Sequence, residues 1–289
     1  GWGEAAWLSM KVTILGSGTS TGVPEIGCTC EVCTSADPRD HRLRTSALVE
    51  TDDARILIDC GPDFRAQVLG LPFKKIDGVL ITHEHSDHIK GLSTISHKFD
   101  IPVFATRETF DAMPTQTEKI SNKNINYFYP DEKFNINDLE ITPFSIPHDA
   151  ANPCGFTINN EKHQLSIATD IGHMTNDIVK HLEGSELLLL ESNYDTEVLK
   201  CCKYPFHLKA RIAGSTGHLS NTMSGKTISY LLKNSNLNTA ILGHLSKESN
   251  FPELAYQTVV DELLANNCNT DSINLSVASR ELPGRLIKL

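Results

Sequence analysis

Residues 79–92 read Val-Leu-Ile-Thr-His83-Glu-His85-Ser-Asp87-His88-Ile-Lys-Gly-Leu and place four metal-competent side chains within six positions. His83 and His85 stand two apart, so in extended backbone both imidazoles project to one side. Asp87 and His88 follow where the chain must turn. One zinc takes three or four nitrogen, oxygen or sulfur ligands, so this turn can seed two sites. Surface histidines in an acidic loop seldom fall at such spacing.

The elements that must position these ligands can be read from apolar runs. Val79 to Ile81 reads as a buried strand, and Ile89 to Phe99 as a helix with Ile89, Leu92, Ile95 and Phe99 as its apolar stripe. Strands are expected at Lys11–Leu15, Ser46–Glu50, Arg55–Asp59, Ile101–Ala105, Leu139–Phe144, Gly155–Ile158 and Gln164–Ala168. Further strands are expected at Leu187–Leu190, Thr239–Leu242, Ile273–Val277 and Arg285–Lys288, and helices at Thr222–Asn234 and Pro252–Asn266. A pattern recurs at their carboxyl ends. Asp59 closes one strand, His148 and Asp170 follow two others, Glu191-Ser-Asn193 follows Leu187–Leu190, and His244 follows Thr239–Leu242.

Collected, the strand-end residues are His83, His85, Asp87, His88, His148, Asp170 and His244. One metal could take His83, His85 and His148, the other Asp87, His88 and His244, with Asp170 bridging. Each would keep room for a shared water, as a catalytic site requires. Asp59 suits a carboxylate that orients a ligand histidine. His173, His207, Glu191, Asn193 and Arg211 are weaker pocket candidates.

Two N-terminal features are less specific. The glycines of Gly16-Ser-Gly18-Thr-Ser-Thr-Gly22 are spaced wrongly for a dinucleotide fingerprint, so a loop passing close to the active site is expected instead. Cys28, Cys30 and Cys33 can grip one structural zinc from a tight loop, with the fourth ligand supplied from elsewhere. Arg39, Arg42, Arg44 and Arg65 could meet a substrate phosphate, but surface pairing with Asp37, Asp40 and Asp63 is the plainer expectation.

Composition bounds the rest. At 289 residues, with 39% hydrophobic and 21% charged residues, the chain suits one large α/β domain over 10–289. Gly1–Ser9, ahead of Met10, is expected to be a tag remnant or an upstream extension, and it lacks the features of a signal peptide. No run approaches the about twenty apolar residues of a membrane span. A net charge of −10 argues against coating nucleic acid through a broad basic face, although paired divalent cations would invert the local field. Eight cysteines without a secretory signal point to the reducing cytoplasm.

The ordered set of motifs resembles the metallo-β-lactamase-fold hydrolases. His83-x-His85-x-Asp87-His88 matches the signature of that family, and Asp59, His148, Asp170 and His244 match its other motifs in order, over nearly the whole chain from Met10. The resemblance implies an αββα sandwich of two mixed β-sheets with outer helices. Gly16-Ser-Gly18 with Gly27-Cys28-Thr-Cys30-Glu-Val-Cys33 is similar to cyclic phosphodiesterases of the PhnP type. Thr82–Gly91, His148–Gly155, Glu191–Asp195, Gly217–Asn221 and Gly243–Ser249 are similar to the YycJ/WalJ group of DNA exonucleases. The PhnP type completes its structural zinc with a histidine where this chain has Lys247, which leaves either His41, His207 or Cys60 as a substitute or a cysteine cluster that binds no metal.

The same resemblance sorts reaction classes. Di-iron oxygen-reducing members usually carry glutamate where His85 stands, and true β-lactamases usually carry cysteine where Asp170 stands. His218 looks like the extra histidine that phosphodiesterase branches use on the leaving group. The expected protein is therefore a di-zinc phosphodiesterase, with manganese or iron as substitutes. It would act on a cyclic phosphate, a nucleotide or a nucleic-acid end by attack of metal-activated hydroxide, with Asp87, Asp170 and His218 as catalytic residues. The alternatives are a carboxylic ester, thioester or lactone hydrolase on the same metals, and a non-catalytic nucleic-acid or partner-binding module.

Overall fold

Leu187 to Leu190 are apolar without interruption because both faces of their strand are covered. Leu187 and Leu189 point into a core shared by two sheets, and Leu188 and Leu190 into a second core under helices. A computed structural model of the chain describes residues 9–36, 41–72, 74–278 and 286–289. Gly1 to Leu8, Asp37, Arg39, Asp40 and Arg285, named above, lie outside the described residues.

The strands are β1 (Lys11–Gly16), β2 (Ser46–Glu50), β3 (Arg55–Ile58), β4 (Gly78–Leu80), β5 (Val103–Ala105), β6 (Ile125–Tyr127) and β7 (Phe134–Ile136). They continue as β8 (Leu139–Ser145), β9 (Cys154–Asn159), β10 (Gln164–Ala168), β11 (Leu187–Glu191), β12 (Thr239–Gly243), β13 (Asn274–Val277) and β14 (Leu286–Lys288). One sheet runs β14-β1-β2-β3-β4-β5-β6 and the other β13-β12-β11-β10-β9-β8-β7. Both are mixed. In the first, β3 to β6 are parallel and β14 to β3 antiparallel. In the second, β10 to β13 are parallel and β7 to β10 antiparallel.

Val12, Ile56, Ile58 and Leu80 of the first sheet meet Ile141, Phe156, Ile167 and Ile241 of the second in the central core. The outer face of the first sheet, through Leu57, Val79 and Val103, packs on Ile89, Leu92, Ile95 and Phe110. The outer face of the second packs on Ile228 and Leu231 of the helix Asn221–Asn234 and on Val259 and Leu263 of the helix Pro252–Ala265. The architecture is the αββα sandwich. Among the described residues, no helix is long and apolar enough to cross a membrane.

Two readings need correction. The helix expected over Ile89–Phe99 is two helices, Ser86–Ile89 and Leu92–Phe99. The Gly91 amide leaves the helical ladder to donate to the Cys60 carbonyl at 2.9 Å, and the break re-aims the second helix so that Phe99 is 45% exposed. The strands β6 and β7 were not expected, because their half-exposed side chains carry little periodic signal.

The loop after β3 lies tight against the ligand turn. A Cβ at Gly61 would come 2.0 Å from the Asp87 carbonyl oxygen, a backbone atom that cannot swing away. Gly61→Ala is predicted to lower stability by about 2–3 kcal/mol, read as a lower midpoint in thermal or urea unfolding. An unchanged midpoint would show that this approach is not tight.

Candidate metal centre

Strands from both sheets end around one point. Ile81 and Thr82 follow β4 and lead to His83, β8 leads to His148, β10 to Asp170, and β12 directly to His244. Three of the strand-end residues leave extended backbone through the left-handed region: Asp59 (φ 58°), Asp170 (φ 59°) and His244 (φ 56°). None is a glycine, so each is held there by its surroundings. The outcome is that every side chain in the expected set of seven reaches the same cluster.

Donor atoms of His83, His85 and His148 lie within 4.8 Å of one another, and so do those of Asp87, His88 and His244. Asp170 sits between the two groups. Its Oδ1 is 3.5 Å from His244 Nε2 and 3.7 Å from His148 Nε2, while its Oδ2 is 3.6 Å from His88 Nε2.

Each imidazole is anchored on its far side. Asp59 Oδ2 accepts from His88 Nδ1 at 2.6 Å, and Asp59 also accepts from the Thr82 amide and hydroxyl, both at 2.8 Å. With its hydrogen donated to Asp59, the Thr82 hydroxyl accepts from His83 Nδ1 at 3.0 Å. The Gly217 carbonyl accepts from His148 Nδ1 at 3.0 Å, and the Asp149 carbonyl from His85 Nε2 at 3.1 Å. These acceptors fix the tautomers, so the remaining ring nitrogens turn lone pairs inward. Two inward atoms, His83 Nε2 and Asp170 Oδ2, are buried with no hydrogen-bond partner.

Glu191, only a weak pocket candidate in the sequence, is the anchor that sequence reasoning undervalued. It ends β11 and is fully buried. Its Oε1 accepts from His244 Nδ1 at 2.6 Å and from His218 Nδ1 at 2.8 Å, and its Oε2 accepts from the Ile171 and Leu219 amides. Burial opposes its charge, but the two histidines outweigh that and hold it well below the usual carboxylate range. Burial likewise opposes a charged His218, yet Glu191 and then Asp170 push it up to about 9. Burial and the neighbouring histidines keep His83 low, and burial keeps His148 low. His88 goes the other way, because Asp59 overrides its burial.

The cluster opens into a cleft of about 710 Å³ whose wall includes Thr19 to Thr21, Asn193, Lys203, Tyr204 and Arg211. The glycine-spaced N-terminal loop does pass close to the site. Arg211 is tied to Asp149 at 2.7 Å, and Arg44 to Asp63 at 2.8 Å, the surface pairing expected for that arginine. Arg42 is buried and donates to the Leu245 carbonyl at 3.3 Å. His173 donates to the Ser215 carbonyl at 2.8 Å, and His207 is exposed.

The sulfurs of Cys28, Cys30 and Cys33 also gather within 4.8 Å, but among the described residues no fourth metal-competent side chain joins them. His41, His207 and Cys60 do not supply it, and Cys60 is buried in the core on the outer face of the first sheet. Lys247 stands there instead, its ammonium 3.2 Å from Cys28 Sγ, 3.5 Å from Cys33 Sγ and 2.9 Å from Glu25 Oε2. The Cys30 amide and this ammonium pull the Cys28 thiol down to about 7. Three sulfurs and a cation fall short of the four donors that close a structural zinc site.

A beta-lactamase superfamily domain matches residues 54–236. The chain belongs to that superfamily, and it is a metal-dependent hydrolase of the metallo-β-lactamase fold. Its likeness to the YycJ/WalJ group runs over most of the chain: exodeoxyribonuclease YycJ of Bacillus anthracis is 32% identical over 216 residues, 73% of this chain and 81% of that protein. Two solved structures share the fold. A diphosphatase of the PhnP family superposes with a TM-score of 0.71 at 24% identity, covering 98% of each chain. Zinc-bound PqqB from Methylobacterium extorquens superposes with a TM-score of 0.72 at 20% identity, covering 96% of this chain and 100% of that one.

Glu191→Gln keeps the shape but replaces an acceptor-only carboxylate with an amide. It is predicted to lower metal affinity or turnover about 10- to 100-fold, measured by chelator competition and steady-state assay with thermal unfolding as a control. Wild-type values for both would remove Glu191 as an orienting group.

Proposed function

We propose that residues 10–289 form one di-metal phosphodiesterase domain that hydrolyses a phosphate ester at a nucleic-acid end, nucleotides and cyclic phosphates being smaller substrates of the same class. His83, His85 and His148 would hold one divalent cation and Asp87, His88 and His244 the other, with Asp170 reaching both. Zinc suits this nitrogen-rich donor set, and manganese or iron can replace it. Bound there, the cations supply positive charge for phosphoryl oxygens and make water more acidic. A cytoplasmic location belongs to the same reading, since all eight cysteines stand as free thiols.

The observation that carries the metal assignment is the pair of buried, unpartnered acceptor atoms, His83 Nε2 and Asp170 Oδ2. Leaving such atoms unsatisfied costs several kcal/mol in a dry site, by about 1–3 kcal/mol each, and the inward lone pairs around them favour a cation over a hydrogen-bond donor. The phosphodiester assignment draws on His218. Glu191 takes its Nδ1 hydrogen, which leaves Nε2 as the ring nitrogen available to a substrate in the cleft. A protonated His218 there can donate to a departing alkoxide. The exodeoxyribonuclease name of the Bacillus anthracis relative supports the same substrate class.

Asp170→Ala is predicted to lose bound metal and activity together. His218→Ala should keep its metals while kcat on a chromogenic phosphodiester falls by about two to four powers of ten. Full activity in the His218 variant would exclude it from proton transfer. Faster turnover of a lactone or thioester chromogen than of the phosphodiester would move the assignment to acyl substrates.

A further inference from the structure

The acidic chain contains one long stretch with no acid at all. Between Glu197 and Glu248 there is no Asp or Glu, while seven of the 26 Lys and Arg residues fall there, leaving 19 to face all 36 acids elsewhere. This stretch supplies the helix Phe206–Ile212, His218, the helix Asn221–Asn234, β12 and His244, so the basic part of the molecule adjoins the metal centre. Two of its three cations on the cleft wall, Arg211 and Lys247, are already engaged, and so is Lys200 further along the chain. Arg211 pairs with Asp149, Lys200 with Glu197, and Lys247 with Glu25. Lys203 is exposed on the cleft wall, and among the described residues it makes no hydrogen bond or ion pair.

The two most exposed large hydrophobic side chains among the described residues are Ile26, at 102%, and Phe206, at 85%. Ile26 follows Glu25, a residue of the cleft wall, and Phe206 lies two residues from another, Leu208. A largely exposed aromatic ring three residues along the chain from an unpaired lysine of the cleft wall has the make-up of a single-strand binding platform: a base stacks on the ring and the neighbouring phosphate meets the ammonium.

We propose that the wall from Lys203 to Phe206 binds the single-stranded nucleic acid whose end enters the cleft, Lys203 pairing with a backbone phosphate and Phe206 stacking a base. This rests on the phosphodiesterase reading and names polymeric single strands as its preferred substrate. The charge pattern selects a polyanion, and the exposed ring selects one that carries planar groups.

The test uses the metal-loaded enzyme, a fluorescein-labelled oligothymidylate for binding by anisotropy, and bis(p-nitrophenyl) phosphate for hydrolysis. Phe206→Ala should weaken oligonucleotide binding by roughly 5- to 100-fold and leave small-diester turnover within about twofold of wild type. Lys203→Ser should reduce the salt dependence of binding by about 0.7 in the log–log slope, the share of one phosphate on a single strand. Unchanged affinity in Phe206→Ala with an unchanged slope in Lys203→Ser would overturn the proposal, as would an equal loss of small-diester turnover. Failure of the wild type to hydrolyse the small diester would instead count against the phosphodiesterase reading, with the binding comparison still deciding the platform.

Discussion

The arrangement depends on a set of lone pairs forced to face one another in a dry place. His83, His88, Asp170 and His244 are all nearly or fully buried, and their inward atoms cannot hydrogen-bond to each other once Thr82, Asp59 and Glu191 have taken the outward N–H groups of the three histidines. A buried polar group without a partner is costly, and here several are aimed at one point. The orienting acceptors therefore matter as much as the donors. Asp59 serves the first sheet's side of the cluster and Glu191 the second's, so each sheet brings its own buried carboxylate.

The fold explains why the cluster can be both rigid and open. Two sheets share one core, and the carboxyl ends of their strands converge at a common edge. At that edge Asp59, Asp170 and His244 adopt left-handed conformations, and Gly61 lets the β3 loop touch the ligand turn. Strain of this kind persists where packing around it over-determines the chain. The strands behind these turns are almost wholly buried and supply that packing.

Much of this was legible in the sequence, for physical reasons that differ by residue. His83 to His88 announce themselves because four ligands crowd into six positions. His148, Asp170 and His244 are legible at one remove, each being a polar residue just after a run too apolar to be exposed. The anchoring role of Glu191 was not legible: a carboxylate after four leucines could as easily have reached solvent, and only the three-dimensional meeting of β11 with the His218 loop shows what it holds. The same limit applied to Lys247, whose ammonium reaches the cysteine cluster across more than two hundred residues of sequence. Local periodicity also overran Gly91, since an apolar stripe can continue in phase past a break that is set by a tertiary contact with Cys60.

The most direct test is the metal content of the purified chain, measured by elemental analysis on wild type and on an Asp170→Asn variant that keeps the side chain's size. Two equivalents of divalent transition metal per wild-type chain, with a clear loss in the variant, are predicted. A wild-type chain that binds none when offered zinc or manganese, or a variant that retains both, would contradict the claim that these converging side chains exist to hold a pair of cations.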